Sequence, residues 1–333
     1  MLGFLKSAPA QPDYGACSGC SLCLLVCPVW RQTRDLRLTP HGRAKALQHG
    51  AGISDIAPSV ESCTLCAACE PVCPQHIDLV GMILALRREL PRTAALQGVQ
   101  DTMDKKAAYP LANRPALQSA LLPDQPLNAR PETMARVAAL LGSDACEDDG
   151  IDIGLALETG ALVSSRRRER FLAPLRGLRK IVVADGLLLR HLKSWLPKSK
   201  IIGLGEALSR LDAVRRELRA TDLYVIEPRA YHADYQRLVQ YYDRMRAETS
   251  CAMNLDLMRM AIPATARSLP QRLELQRADV SAHARWILHG RKIARIVVES
   301  VEDMAAFTAV SNYPVVHLAN LADDGKMPAG SHS

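Results

Sequence analysis

Eight of the ten cysteines fall between Cys17 and Cys73, in two copies of one spacing. The first copy is Cys17-Ser18-Gly19-Cys20-Ser21-Leu22-Cys23-Leu24-Leu25-Val26-Cys27-Pro28. The second, 46 positions later, is Cys63-Thr64-Leu65-Cys66-Ala67-Ala68-Cys69-Glu70-Pro71-Val72-Cys73-Pro74. Steps of three residues let a tight loop present three thiolates around one centre. The pattern C-x2-C-x2-C-x3-C-P, used twice, is the run that binds two cubane [4Fe-4S] clusters, with the first three cysteines of each run on one cluster and the fourth on the other. It assigns Cys17, Cys20, Cys23 and Cys73 to one cluster, and Cys63, Cys66, Cys69 and Cys27 to the second. Zinc takes two C-x2-C pairs into one tetrahedral site and leaves the other cysteines of each run without a role. Disulfides need an oxidising compartment, for which the sequence gives no sign. Thiolate-held iron carries single electrons, so the expected chemistry is electron carriage and no catalytic residue is assigned.

Positioning these cysteines falls to the elements around them. Two copies imply a pseudo-symmetric, mostly helical domain over residues 1–90, with a short helix at Gly42–His49 ended by Gly50, a second over Ile77–Leu90, and Pro28 and Pro74 closing the turns that carry the fourth cysteines. Residues 91–177 read as a connector with short helices. They hold Pro110, Pro115, Pro123, Pro126 and Pro131 and an acidic stretch, Asp144 to Glu158, without a basic residue. Over 178–322, apolar runs at Ile181–Ala184, Ile201–Leu204, Leu223–Ile226, Ile296–Glu299 and Val315–Leu318 alternate with helical patterns at Leu187–Trp195, Glu206–Leu218, His232–Glu248 and Val301–Val310. That alternation predicts a Rossmann-like parallel sheet with helices on its faces, interrupted by an irregular stretch from Cys251 to about Ala282. The fold class is therefore α + α/β, with residues 323–333 as a flexible tail. Cys146 and Cys251 stand alone, so the α/β part is expected to hold no metal.

The chain has 333 residues, 48% hydrophobic and 23% charged, which marks a soluble globular protein and excludes disorder. No apolar run approaches the ~20 residues of a membrane span, and Met1–Ala10 lacks the features of a secretory signal. The expected location is the cytoplasm, in solution or peripheral to the inner face of the membrane. Net charge is +7, and it is concentrated: residues 166–200 carry eleven Lys or Arg against Glu169 and Asp185. This segment reads as a solvated face or as a docking patch for an acidic partner or anionic lipid. Without interleaved aromatics, nucleic acid is not expected.

Weaker signals take plain readings. Gly203-Leu204-Gly205-Glu206-Ala207-Leu208 lacks the third glycine of a dinucleotide fingerprint and reads as a strand-to-helix turn. Val183-Ala184-Asp185-Gly186 reads as a turn at the carboxyl end of a strand, where ligands also bind. Tyr235, Leu238, Val239, Tyr242 and Met245 form one helical stripe, a core face. His41 and His76 flank the cysteine loops as surface residues. Arg43 is placed to favour cluster reduction by its positive charge.

The two runs, with Pro40-His41-Gly42-Arg43 between them and Cys73-Pro74-Gln75-His76-Ile77-Asp78 after the second, resemble the alpha-helical ferredoxin domain of heterodisulfide reductase. They equally resemble the iron-sulfur subunits of glycolate oxidase, lactate utilisation and anaerobic glycerol-3-phosphate dehydrogenase. In that superfamily a P-R-G-R-like segment lies between the runs, matched here with His41 in place of the first Arg. The resemblance spans about Tyr14 to Leu90. It implies an electron-transfer subunit relaying electrons through two [4Fe-4S] clusters, from a flavoprotein dehydrogenase towards a quinone or a second redox subunit. The Cys-Cys-Gly motifs that usually follow are absent, as the chain has no adjacent cysteine pair. The alternative is a redox-sensing or binding module that uses residues 166–200 to contact nucleic acid or a partner.

Overall fold

The computed structural model describes residues 14–109 and 118–322, apart from Ala266, Ala278 and Val280. Helices come first, at Leu22–Val26, Pro28–Thr33, Pro40–Gln48, Ile53–Ser62 and Leu79–Glu89. Their starts follow from local chemistry. Thr39 accepts from the Gly42 amide at 3.1 Å to cap Pro40–Gln48, and Asp78 accepts from the Gly81 amide at 2.7 Å to cap Leu79–Glu89. A Cβ at Gly42 would lie 2.0 Å from the Leu36 carbonyl oxygen, so this glycine is a requirement of packing. Pro28 does not close a turn as read from sequence. It opens the helix Pro28–Thr33, where the amide that proline lacks has no partner to lose, and Cys27 stands extended between two helices.

The strands form two parallel sheets where one Rossmann-like sheet was expected. They are β1 (Ser119–Leu122), β2 (Asp144–Ala145), β3 (Lys180–Val183), β4 (Ile201–Gly203), β5 (Asp222–Val225), β6 (Ala252–Met253), β7 (Arg295–Val298) and β8 (Val315–His317). The orders are β2-β1-β3-β4 and β6-β5-β7-β8, so one winding is used twice. Residues 91–177 are therefore no connector. They supply β1 and β2 and the helices Ala94–Ala108, Pro131–Leu141 and Ile151–Thr159. The four residues of β1 end against Pro123 and are too few to show a period, and β6 likewise lies hidden in the stretch read as irregular. Pro110, Pro115, Met1–Ala10 and the tail 323–333 lie outside the described residues.

The acidic stretch and the basic segment meet. Arg167, fully buried, donates to both carboxylate oxygens of Asp148 at 2.7 Å and to Asp152 at 2.7 and 2.8 Å. Arg170 also pairs with Asp148, Arg190 with Glu70 and Asp78, and Lys193 with Asp234. Four of the eleven basic residues that read as a docking patch are thus paired with carboxylates of the fold. The tyrosine stripe is core: Leu238, Tyr242 and Met245 pack with Tyr224 and Val297.

The helical segment leans on the first sheet. Leu65, Ala67, Val80, Ile83 and Leu84 share one apolar cluster with Ala120, Leu122, Ile181 and Val183. Val26, Cys66 and Val72 pack against Met260. The second cysteine run is thereby clamped between its own helices and the α/β part.

Candidate metal centre

Both cysteine loops bend the same way. Gly19 and Ser21 have φ of 81° and 64°, and the residues 46 positions on, Leu65 and Ala67, have φ of 55° and 63°. A left-handed conformation costs a non-glycine residue about 1–2 kcal/mol, and both copies accept it at matching positions. Such turns gather backbone N–H groups into a concavity that receives anions, a feature of many iron–sulfur sites.

The folded loops bring the cysteines together in two groups of four. One cavity is lined by Cys17, Cys20, Cys23 and Cys73, the other by Cys27, Cys63, Cys66 and Cys69. In each, the fourth member comes from the other run. Among the described residues, no three cysteine sulfurs all lie within 4.8 Å of one another. A single tetrahedral zinc with Zn–S of 2.3 Å would hold its sulfurs roughly 3.8 Å apart. Both cavities thus suit a centre larger than one ion.

Surroundings separate the two sets. Cys20 is exposed, whereas Cys27 and Cys66 are buried. Burial, with neighbouring thiols adding to it, pushes the Cys23 and Cys27 thiols up to about 11 and Cys66 up to about 12. Without a cation among them these thiols keep their protons, so iron must displace protons to bind.

Arginines supply positive charge to the inner set. Arg43, 4% exposed, lines that cavity; its Nη2 donates to the Ser59 carbonyl at 2.7 Å, and its Nε has no partner among the described residues. Arg87, 2% exposed, donates to the carbonyls of Cys63 and Glu158, and Arg229 donates to the Thr64 carbonyl at 3.1 Å. Desolvation lowers Arg87 to about 10, which leaves it charged at neutral pH. His232 donates from Nδ1 to the Cys66 carbonyl at 2.6 Å while its Nε2 accepts from the Ala261 amide at 3.2 Å. Burial drives this histidine down to about 4, so the ring is neutral.

Around the outer set the contacts are lighter. Lys45 donates to the Cys17 carbonyl at 3.3 Å and to Gln48 at 2.7 Å. His41 lines the cavity and pairs with Ser21 Oγ at 3.3 Å, so it is not the plain surface residue read from sequence; His76 is exposed. Cys146 sits in the core of the first sheet, and Cys251 packs in the second with Thr249 Oγ1 at 3.1 Å from its sulfur. Neither lines either of the two cavities.

Sequence reading missed Arg87, Arg229 and His232. Arg87 had a signal, since it falls three and four residues after Leu84 and Ile83 on the buried stripe of Leu79–Glu89. The other two act across the fold and have none.

Residues 13–77 match the family model described as 4Fe-4S dicluster domain. No curated protein and no solved structure matches the chain. This stretch is an iron–sulfur, ferredoxin-like domain with an electron-transfer role, and no helix among the described residues is long and apolar enough to cross a membrane.

Proposed function

We propose that Cys17, Cys20, Cys23 and Cys73 hold one [4Fe-4S] cluster and Cys63, Cys66, Cys69 and Cys27 a second, and that the chain relays electrons between a flavoprotein dehydrogenase and a quinone or second redox subunit. The observation that carries this reading is the exchange of the fourth cysteines between the two cavities. Bound clusters supply reversible one-electron uptake. The chain's own residues do the rest. The left-handed residues shared by both loops suit a turn that can offer amides to an anionic centre, buried guanidinium groups offset the anionic charge of the inner set, and exposed Cys20 brings the outer set to the surface where a partner can reach it. The resemblance to the heterodisulfide reductase and glycolate oxidase iron–sulfur subunits supports the same role. Nucleic-acid binding through 166–200 is not favoured, because four of its eleven basic residues, Arg167, Arg170, Arg190 and Lys193, are paired with carboxylates of the same chain.

The test is to purify the chain without oxygen, count iron and acid-labile sulfide, and record the electron paramagnetic resonance spectrum after dithionite. About eight of each per chain, with two interacting reduced clusters, is the expected result. One or two zinc ions without sulfide would overturn the reading.

A further inference from the structure

Nine large apolar side chains are exposed among the described residues, and four of them, Leu25, Leu257, Met258 and Trp286, gather around one guanidinium. Arg31 donates to the Leu25 carbonyl at 3.3 Å, lies 4.1 Å over the Trp286 ring, and pairs with Asp256, the residue before Leu257 and Met258. Three distant segments thus meet in one apolar patch. Contiguous exposed apolar surface with a polar rim marks a place where something binds.

The patch is held from behind. Met258 and Arg259 both take left-handed φ, 55° and 62°, which costs each about 1–2 kcal/mol. Their carbonyls accept from the hydroxyls of Tyr235 and Tyr231 at 2.7 and 2.9 Å, and Met260 packs with Val26 and Cys66. Such strain is kept where the surroundings impose it, and it concentrates at binding sites. Here the strained turn leaves Leu257 52% and Met258 50% exposed.

Position gives the patch its use. Leu25 lies two residues after Cys23 of the outer set and two before Cys27 of the inner set. A molecule seated on Leu25 therefore adjoins both sets.

Charge identifies the occupant. Arg34, three residues on from Arg31, and Arg285, beside Trp286, are exposed. Asp256 acts on Arg291 as well as on Arg31, and Asp279 acts on Arg285. Four arginines thus stand around the patch against two aspartates. A second copy is a poor occupant, because two-fold pairing through this patch would set arginines against arginines. The complement is an acidic surface with an apolar centre. Transient redox complexes bury less than about 1,200 Å² in all, a scale that four apolar side chains and their rim fit.

We propose that Leu25, Leu257, Met258 and Trp286 form the docking surface for an acidic protein that exchanges single electrons with this chain. The inference rests on the electron-transfer function proposed above.

The test uses the full chain, purified without oxygen, with reduced flavodoxin, a small acidic flavoprotein, as probe and dithionite as the small-molecule control. In the step observed the flavin loses one electron and one cluster gains it, and no bond changes. Stopped-flow absorbance should show a reduction rate that saturates with flavodoxin concentration. Leu257→Ser combined with Met258→Asn, since asparagine tolerates the left-handed region, should slow it about tenfold and leave the dithionite rate as it was. Arg34→Glu combined with Arg285→Glu should slow it about tenfold at low salt and far less at 1 M, where the screening length is about 3 Å. Leu162→Ser, at an exposed leucine outside the patch, should change nothing. Equal slowing by Leu162→Ser, unchanged flavodoxin rates in both patch variants, or patch-dependent binding to phosphatidylglycerol vesicles in place of flavodoxin would overturn the proposal. Calorimetry with flavodoxin separates this failure from that of the wider reading. A chain that holds about eight irons and is reduced by dithionite, yet binds flavodoxin equally well in both patch variants, defeats this inference alone. A chain that binds flavodoxin through the patch but takes up no electrons defeats the electron-transfer reading and leaves the docking surface standing.

Discussion

The outer set, Cys17, Cys20, Cys23 and Cys73, and the inner set, Cys27, Cys63, Cys66 and Cys69, rise from loops with left-handed residues at matching positions. Their settings differ. Cys20 meets solvent and its neighbours are light polar contacts from Lys45 and His41. Cys66 is buried, its carbonyl is held by His232, the carbonyls of Cys63 and Thr64 are held by Arg87 and Arg229, and Arg43 lies in the same cavity. A repeated motif thus determines how ligands are presented, while the α/β part decides which copy is sealed. On the proposed function, the exposed copy suits exchange with a partner and the sealed copy suits a tuned, protected centre, since solvent access and hydrogen bonding govern cluster potential.

Breaking the comparison most directly means removing one sulfur from each set. Cys66→Ser is expected to lower bound iron from about eight to about four per chain and to lower the unfolding temperature by several degrees, because a cofactor that binds only the folded state stabilises it. Cys20→Ser sits at the surface, where water and the serine oxygen can complete the ligand set, so most of its iron should remain. Iron analysis and thermal unfolding without oxygen read both outcomes. Equal losses in the two variants would mean that burial does not distinguish the sets.

A subtler cut leaves every sulfur in place. Arg43→Gln removes a buried positive charge from the inner cavity but keeps a donor for the Ser59 carbonyl. A charge in a partly desolvated site interacts on the order of 2 kcal/mol with another about 8 Å away. The inner cluster should therefore become harder to reduce, by roughly 50–100 mV, with the outer one shifted far less. A potentiometric titration followed by electron paramagnetic resonance would show whether one component moves or both.

How much of this was legible depends on the range of the interactions. Cysteine spacing is local, and the grouping into fours is read from it, while the helix at Pro40–Gln48 is read as Gly42–His49 from its own residues and the Gly50 that ends it. Five strands, β3, β4, β5, β7 and β8, show as apolar runs of three or four residues bounded by turn residues. The strands β1, β2 and β6 span only four, two and two residues and owe their place to neighbours on the sheet. The doubled winding leaves a faint trace, since Leu121-Leu122-Pro123-Asp124 and Val225-Ile226-Glu227-Pro228 share an apolar run, an acid and a proline. The supports of the inner set were hidden for a different reason. Arg229 reaches Thr64 across 165 positions and His232 reaches Cys66 across 166, and no periodicity records a contact of that span.

The smallest expected effect comes from the same helix as Arg43. Pro40–Gln48 sends Arg43 inward and Lys45 to the rim of the outer set, where a Cβ at Gly19 would lie 3.0 Å from Lys45 Cε. Lys45 is only half-buried and shares its amine between Gln48 and the Cys17 carbonyl. Solvent and salt screen such a charge. Lys45→Met should lower the potential of the outer cluster by no more than about 20 mV at low salt, and the shift should fade towards 1 M salt, where the screening length is about 3 Å. The Arg43→Gln shift should persist there, because a buried pair is screened far less. Titrating both variants at two salt concentrations therefore separates the sets by their response to ions, and equal salt sensitivity would show that the inner cavity is as open to solvent as the outer one.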